Sequence, residues 1–460
     1  MSITKGKNSN IELIRGDPKK AIRKLSVPIM LSMALIMAYN IADSIWVSGL
    51  GADALAALGF ITPVFMIIVG LGNGIGAGAN SLIARAIGAK DKDRADNGAV
   101  HALVITLILG IIIPIIFLPL LRPMFELMGA GGAISYGMDY GTIVFGLMIV
   151  FLVSSVLSAL LRSEGDVNRA TVAIAITAVL NMVLDPIFIY QFGWGIAGAA
   201  WATIISSVIS CIVMGYWIWI KKDTYIDANF RGFKFSKDIT FDILGVAIPN
   251  TAETLIMSIL NIGINAMLVL VATTDAVACY TAGMRIVQLS MIPLIGLGTA
   301  LLTVAGSAYG ARDGDKLELS FSYCIKIGLC LSATMGILMY VFSNPLAFIF
   351  SYSSATAYLT PQIAQVLEIF CLFTLFVPFG MMAAMVFQGV GKGFVALIIT
   401  LFRSLIFELV LAYVIGIVLG YGLMGIYAGF IIGSFMGTAL GYGLGRTFIN
   451  RTKKRFKHIT

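Results

Sequence analysis

"GIGAGANSLIARAIGAKD" fills residues 74–91, and "GLGTALLTVAGSAYGARD" fills residues 296–313, 222 positions later. Both are small-residue apolar runs closed by Gly-Ala, a basic residue and Asp. Further segments recur at a similar distance. "LSVPIM" (25–30) lies over "GVAIPN" (245–250), "GWGIAG" (193–198) over "GYGLMG" (420–425), and "RSEGD" (162–166) over "QGVGK" (388–392). The chain is an internal duplication, and a repeat this long sets the architecture before any single motif does.

Composition says what is duplicated. Hydrophobic residues make up 59% of the chain and charged ones only 12%, against about 25% charged in soluble domains. Apolar runs bounded by breakers give twelve membrane-spanning helices, near 25–50, 54–86, 98–121, 139–161, 170–190, 196–220, 240–271, 276–309, 318–344, 359–387, 393–419 and 422–446. Each is long enough for a hydrocarbon core of about 30 Å. The 49 glycines suit close packing between such helices. The five cysteines lie in apolar stretches without metal-like spacing and read as packing residues. The polar arm before the first span is too long and too polar for a cleavable signal peptide.

Of the 31 Lys and Arg residues, all except Arg122, Arg285, Lys326 and Arg403 fall on one face of the twelve-span reading. By the positive-inside rule that face is cytoplasmic, so the protein is a multi-pass cell-membrane protein with both termini in the cytoplasm. The net charge of +8 therefore reports topology, with attraction to anionic lipid as a by-product, and no nucleic-acid partner is expected. Six spans return the chain to its starting face, so the two halves share one orientation. The expected organisation is an arm (1–24), an N-lobe (25–220), a hydrophilic linker (221–239), a C-lobe (240–446) and a basic tail (447–460). Parallel repeats of this size are a transporter architecture.

Intramembrane carboxylates mark the chemistry, because such groups are costly and functional by default. Asp43 lies about seven residues, or about 10 Å, inside the outer end of span 1. Asp185 in span 5 and Thr203 in span 6 are at similar depth. Asn181 precedes Asp185 by four residues and shares its helix face. Carboxylate, amide and hydroxyl oxygens together suit a hard cation such as Na⁺, or a shared proton. Pro186, in "LDPIF", has no N–H for the carbonyl of Met182 and leaves it free beside Asn181. Asn40 and Pro186 are cavity-lining candidates; as a structural alternative Asp43 pairs with Tyr39 or Asn40, one turn before it.

The second half has apolar residues, Ile264 and Leu411, where Asp43 and Asp185 would repeat. Its acids are Glu253 in span 7, a further cavity candidate, with Glu368 in span 10 and Glu408 in span 11. Arg403 and Glu408 are five residues apart, which on an α-helix turns them to different faces. Interhelical salt bridges are expected for Glu368 and Glu408, with Lys326 and Arg285 as candidate partners. His101, beside a cytoplasmic loop, reads as a solvated residue. "GNGIGAG" follows no strand and precedes no Lys, so it reads as helix packing and not as a phosphate loop. No HExxH, GxSxG or CxxC pair occurs, and no enzyme chemistry or cofactor is expected.

In their order and spacing, "LSVPIM", "YNIADSIWVSGLG", "GAGANSLIARAIGAKD", "LRSEGDVNRA", "LNMVLDPIFIY", "GIAGAAWAT", "IPNTAETL" and "FQGVGKG" resemble the multidrug and toxic compound extrusion (MATE) transporters, and look closest to their DinF-like bacterial and archaeal branch. The resemblance covers nearly all of residues 15–446. It implies an all-α fold of two pseudo-twofold-related six-helix lobes that open alternately to each side. It also implies a cation site at Asp43, Asn181, Asp185 and Thr203, and a cavity-lining role for Tyr39. Glu253 matches an acid that another branch pairs with a span 10 Asp, but here that region reads "FTLFVPFGM", without one. The expected function is H⁺- or Na⁺-coupled antiport of amphipathic or cationic compounds by a monomer. A lipid-linked oligosaccharide flippase of the wider superfamily and a non-transporting receptor or scaffold are the alternatives.

Overall fold

The computed structural model describes residues 10–127, 131–272, 274–351 and 357–458, and helix is their regular secondary structure. Among the described residues eleven helices are long and apolar enough to span a membrane, and one pair bent by 49° makes twelve when counted as one span. They are α1 (Pro18–Ser48), α2 (Ala52–Ala89), α3 (Lys92–Leu127), the bent α4 (Gly131–Gly146 with Met148–Ser163), α5 (Val167–Gln191) and α6 (Gly195–Ile220). The second half contributes α7 (Lys237–Val271), α8 (Thr274–Gly310), α9 (Gly314–Val341), α10 (Thr360–Gly389), α11 (Gly393–Val418) and α12 (Gly422–Lys457). Every expected span is present. Most helices run beyond the apolar windows at their basic ends, because hydropathy marks where the bilayer is and not where backbone hydrogen bonding stops. Thus α1 begins seven residues before position 25, and α12 continues to Lys457 through the basic residues of the tail.

Two compact units carry the helices. One holds residues 10–17 with Val27–Thr251, and the other Pro18–Ser26 with the described residues from Ala252 onward. The divisions fall inside α1 and α7, next to Pro28 and Pro249, the prolines of the repeated "LSVPIM" and "GVAIPN". A proline removes one backbone hydrogen bond and so weakens a helix locally.

Glycines set the interhelix distances within each unit. A Cβ on Gly76 of α2 would stand 3.1 Å from the Cβ of Ala159 on α4, and one on Gly74 would stand 2.6 Å from the Ala247 carbonyl of α7. In the second unit, Gly429, Gly433 and Gly437 of α12 form an i, i+4 stripe against α11. Added Cβ atoms would approach Leu411 O, Phe407 O and the Arg403 Cβ at 2.5 Å each. Gly433→Val is expected to lower stability by about 1–3 kcal/mol by overpacking this seam. Thermal unfolding in detergent would read it, and an unchanged melting temperature would contradict the packing.

The hydrophilic linker folds onto the first unit. Asp223 receives Arg169 Nη1 and Nη2 at 2.7 and 2.6 Å. Glu164 accepts the Ile226 N–H at 3.0 Å, Asp96 accepts the Asp227 N–H at 2.9 Å, and Asn97 Nδ2 donates to Lys234 O at 2.9 Å. His101 corrects the reading of it as solvated. It is 2% exposed, its Nε2 accepts the Ser236 N–H at 2.9 Å, and Phe233 and Phe235 pack on its ring. The linker's return over α3 covers it, which no local pattern announces.

Glu164 is buried beneath this strap, and burial pushes its carboxyl up from 4.5 to about 8, against the opposing hydrogen bond from Ile226. A raised carboxylate favours the folded state while it is protonated. Its contribution is complete below about pH 4.5 and is lost as pH rises through about 8. Thermal stability should therefore fall across that window, and Glu164→Gln should flatten the fall. Identical pH profiles for the two proteins would rule this out.

Candidate functional site

The polar set of the first unit is built on α5. Asp166 caps the start of this helix by accepting the Arg169 N–H, and the helix then places Asn181 and Asp185 on one face. Asn181 is 1% and Asp185 0% exposed. Asn181 Nδ2 bridges the set, donating to Asp185 Oδ1 at 3.4 Å and to Thr203 Oγ1 of α6 at 3.1 Å. The Thr203 hydroxyl itself donates to Ala199 O at 3.0 Å, so its proton is spent and its lone pairs face Asn181. Beyond Pro186 the helix does not stop but widens into a π-helical turn over Ile187–Gln191, a feature frequent at functional positions.

Asp43 reaches the same place from α1, which is fastened to α5 on both sides of it. On one side Ser32 and Thr171 share a 2.8 Å hydrogen bond and Thr171 also donates to Pro28 O at 2.9 Å. On the other, Tyr190 donates to Trp46 O, and the two rings meet edge to face with centroids 6.3 Å apart. Asp43 and Asp185 lie within electrostatic range of one another, and no basic side chain contributes at either. Asp43 Oδ1, Asn181 Oδ1 and Asp185 Oδ2 are buried with no hydrogen-bond donor. Buried polar atoms are ordinarily paired, and oxygens of this kind are the groups that hard cations and protons seek.

The remaining candidates are dispersed. Tyr39 is half-buried one turn from Asp43 and interacts with it. Asn40 is exposed, and its backbone carbonyl accepts the Ser44 hydroxyl. Pro186 is half-buried at the start of the widened turn. Sequence reasoning missed Tyr140. This residue of α4 is 7% exposed and sits within interaction range of Thr203, Asp43, Asp185 and Tyr39. On the span read as 139–161 it stands one residue from the outer end, shallower than the others, but α4 starts at Gly131 and so carries it deeper.

In the second unit Glu253 accepts from Gln388 Nε2 with both oxygens, at 3.2 and 3.3 Å. The other acids depart from expectation. Arg403 Nε is 3.8 Å from Glu408 Oε1 because Phe402–Leu409 is π-helical, and in the wider helix residues five apart lie on one face. Glu408 thus pairs within its own helix and not with Lys326 or Arg285. Glu368 accepts a hydrogen bond from Ser343 at 2.9 Å and makes no salt bridge among the described residues. Arg285 and Lys326 are both exposed.

Known proteins resemble this chain over most of its length. The model of the MatE family matches residues 28–187 and 249–414. The FAD transporter of Shewanella oneidensis is 28% identical over 72% of this chain and 74% of its own. The multidrug export protein MepA of Staphylococcus aureus is 25% identical over 69% and 71%. A MATE-family multidrug resistance transporter of the MOP superfamily, solved outward-facing, superposes with a TM-score of 0.93 at 40% identity, over 97% of this chain and 99% of that one. A MOP-superfamily transporter from Pyrococcus furiosus, described as having a binding pocket of reversed polarity, gives 0.94 at 40% identity over 96% and 98%.

Proposed function

The chain belongs to the MatE family of multidrug and toxic compound exporters, and on that premise we propose that it is a monomeric H⁺- or Na⁺-coupled antiporter of amphipathic, cationic compounds. Asp43, Asn181, Asp185 and Thr203 form its coupling site. One observation carries the reading: three buried oxygens on two carboxylates and an amide, with no donor and no basic neighbour. The transported cation is the missing partner. The same four residues support placement in the DinF-like branch, and the distribution of Lys and Arg supports cytoplasmic termini.

In the cycle that follows, a cation entering from outside binds Asp43 and Asp185, and its differential affinity for the two states of the transporter drives the exchange. Asn181 and Thr203 orient the carboxylates. The widened turn after Pro186 is the segment of α5 best able to change with occupancy, since its hydrogen bonding already departs from the α pattern. Efflux of a fluorescent organic cation from proteoliposomes, under pH and Na⁺ gradients imposed separately, tests this. One gradient should drive efflux, and silence under both overturns the proposal.

Export of an anionic compound is the second reading. Arg285 and Lys326 are exposed without an ion pair among the described residues, and the Shewanella relative is an FAD transporter. The same vesicles loaded with FAD separate the two.

A further inference from the structure

A groove of about 470 Å³ lies on the outside of the first unit, on α4 and α6 with one residue from α3. Val153, Leu157, Val208, Ile212, Tyr216 and Trp219 are among its walls. It takes no part in the polar set around Asp185. Two local features make it. Gly215 contributes no side chain to the floor, and the π-helical turn Tyr216–Ile220 carries the Trp219 ring to within 3.1 Å of where a Gly215 Cβ would be. Ile212 and Ile220 in its walls are 63% and 73% exposed, so no described residue covers them.

Its surroundings grade from apolar to aromatic to cationic along α6. Apolar side chains come first, then Tyr216, Trp217 and Trp219, then Lys221 and Lys222. Aromatic residues followed by lysines mark the membrane–water interface. Two of the nearby cations are spent. Arg169 and Lys221 both bind Asp223, at 2.6 and 3.0 Å. Lys222 is not. It is exposed, its backbone turns left-handed at φ 49 to end the helix, and it joins no ion pair among the described residues.

We propose that this groove binds one acyl chain of an anionic phospholipid from the leaflet on the linker side, with Lys222 taking the headgroup phosphate. Water does not suit the groove, because the walls offer almost no hydrogen-bonding partner. A hydrocarbon chain does. The free lysine two residues beyond Ile220 supplies the complementary charge where the headgroup must lie.

Native mass spectrometry of the full-length protein in mild detergent, titrated with phosphatidylglycerol and with phosphatidylcholine, tests this. One phosphatidylglycerol should be retained in preference to phosphatidylcholine. Lys222→Gln, an exposed change that leaves the fold alone, should weaken its retention about fivefold, matching about 1 kcal/mol for one basic residue near an anionic surface. Val153→Trp, which fills the groove, should remove it. If that variant fails to fold, a protein keeping Trp219 as its sole tryptophan gives a second readout. Its fluorescence in phosphatidylcholine vesicles should be quenched more by added acyl-brominated phosphatidylglycerol than by brominated phosphatidylcholine. Equal binding of the two lipids, or undiminished retention in Lys222→Gln, overturns the proposal. So does a protein copy in place of a lipid in the spectrum.

Discussion

Efflux driven by a cation gradient is expected to fall to background when Asp43 and Asp185 are both replaced by Asn, while the protein still inserts and folds. Asn keeps the shape of each side chain and removes the negative charge, so packing on α1 and α5 is preserved and only the electrostatic demand for a cation is lost. The site is then neutral, and a cation has no reason to prefer one state of the transporter. A coupling free energy of about 1–3 kcal/mol corresponds to about 5–150-fold, and the double variant forfeits all of it. Each single variant should lose part. Thr203→Val should lose less, because the Thr203 hydroxyl proton already belongs to Ala199. Initial efflux rates from proteoliposomes, normalised to folded protein by size-exclusion fluorescence, make the comparison. Full efflux by the double Asn variant sinks the coupling site.

Arg403→Leu is expected to destabilise the second unit by about 3–5 kcal/mol, since removing one member of a buried ion pair leaves the other charge uncompensated. Glu408 is 2% exposed, and Arg403, with a side chain 14% exposed, is its only ion-pair partner among the described residues. Replacing both, as Arg403→Leu with Glu408→Leu, should recover most of the loss, because two well-packed apolar residues need no partners. Thermal unfolding of the single and double variants in the same detergent decides it. If the double variant is no more stable than Arg403→Leu, Glu408 does not depend on Arg403. The effect also reports on the π-helical segment, because on an ordinary α-helix these two positions diverge and the single substitution costs little.

Particular residues show where sequence reasoning stopped. Asn181 and Asp185 were legible as a pair because they are four apart on one helix and local geometry alone brings them together. Thr203 was legible by depth, since residues at one height on neighbouring spans are candidates for contact. Tyr140 is not legible this way, because α4 starts at Gly131, before the apolar run from 139, and its inward turn is set by how α4 packs. Arg403 and Glu408 were separated on paper by assuming 3.6 residues per turn, and the backbone over Phe402–Leu409 does not keep that pitch. His101 was assigned to solvent because the strap that buries it arrives from residues 233–236, more than a hundred positions away.

The sequence by itself determined that the chain is a multi-pass membrane protein of eleven to twelve spans, and it carries the expectation that the halves repeat in one orientation. Each follows from a one-dimensional signal: the length of apolar runs against membrane thickness, the side on which Lys and Arg gather, and self-similarity at a fixed distance. Only the tertiary structure decided which polar atoms remain unpaired, because that depends on helix rotation, on π-helical turns and on docking. Asp43 lies within electrostatic range of Asp185 because Thr171 and Tyr190 fasten α1 to α5 on either side of it. Burial and the missing counter-charge, on which the proposed cation site rests, exist only once those helices are packed.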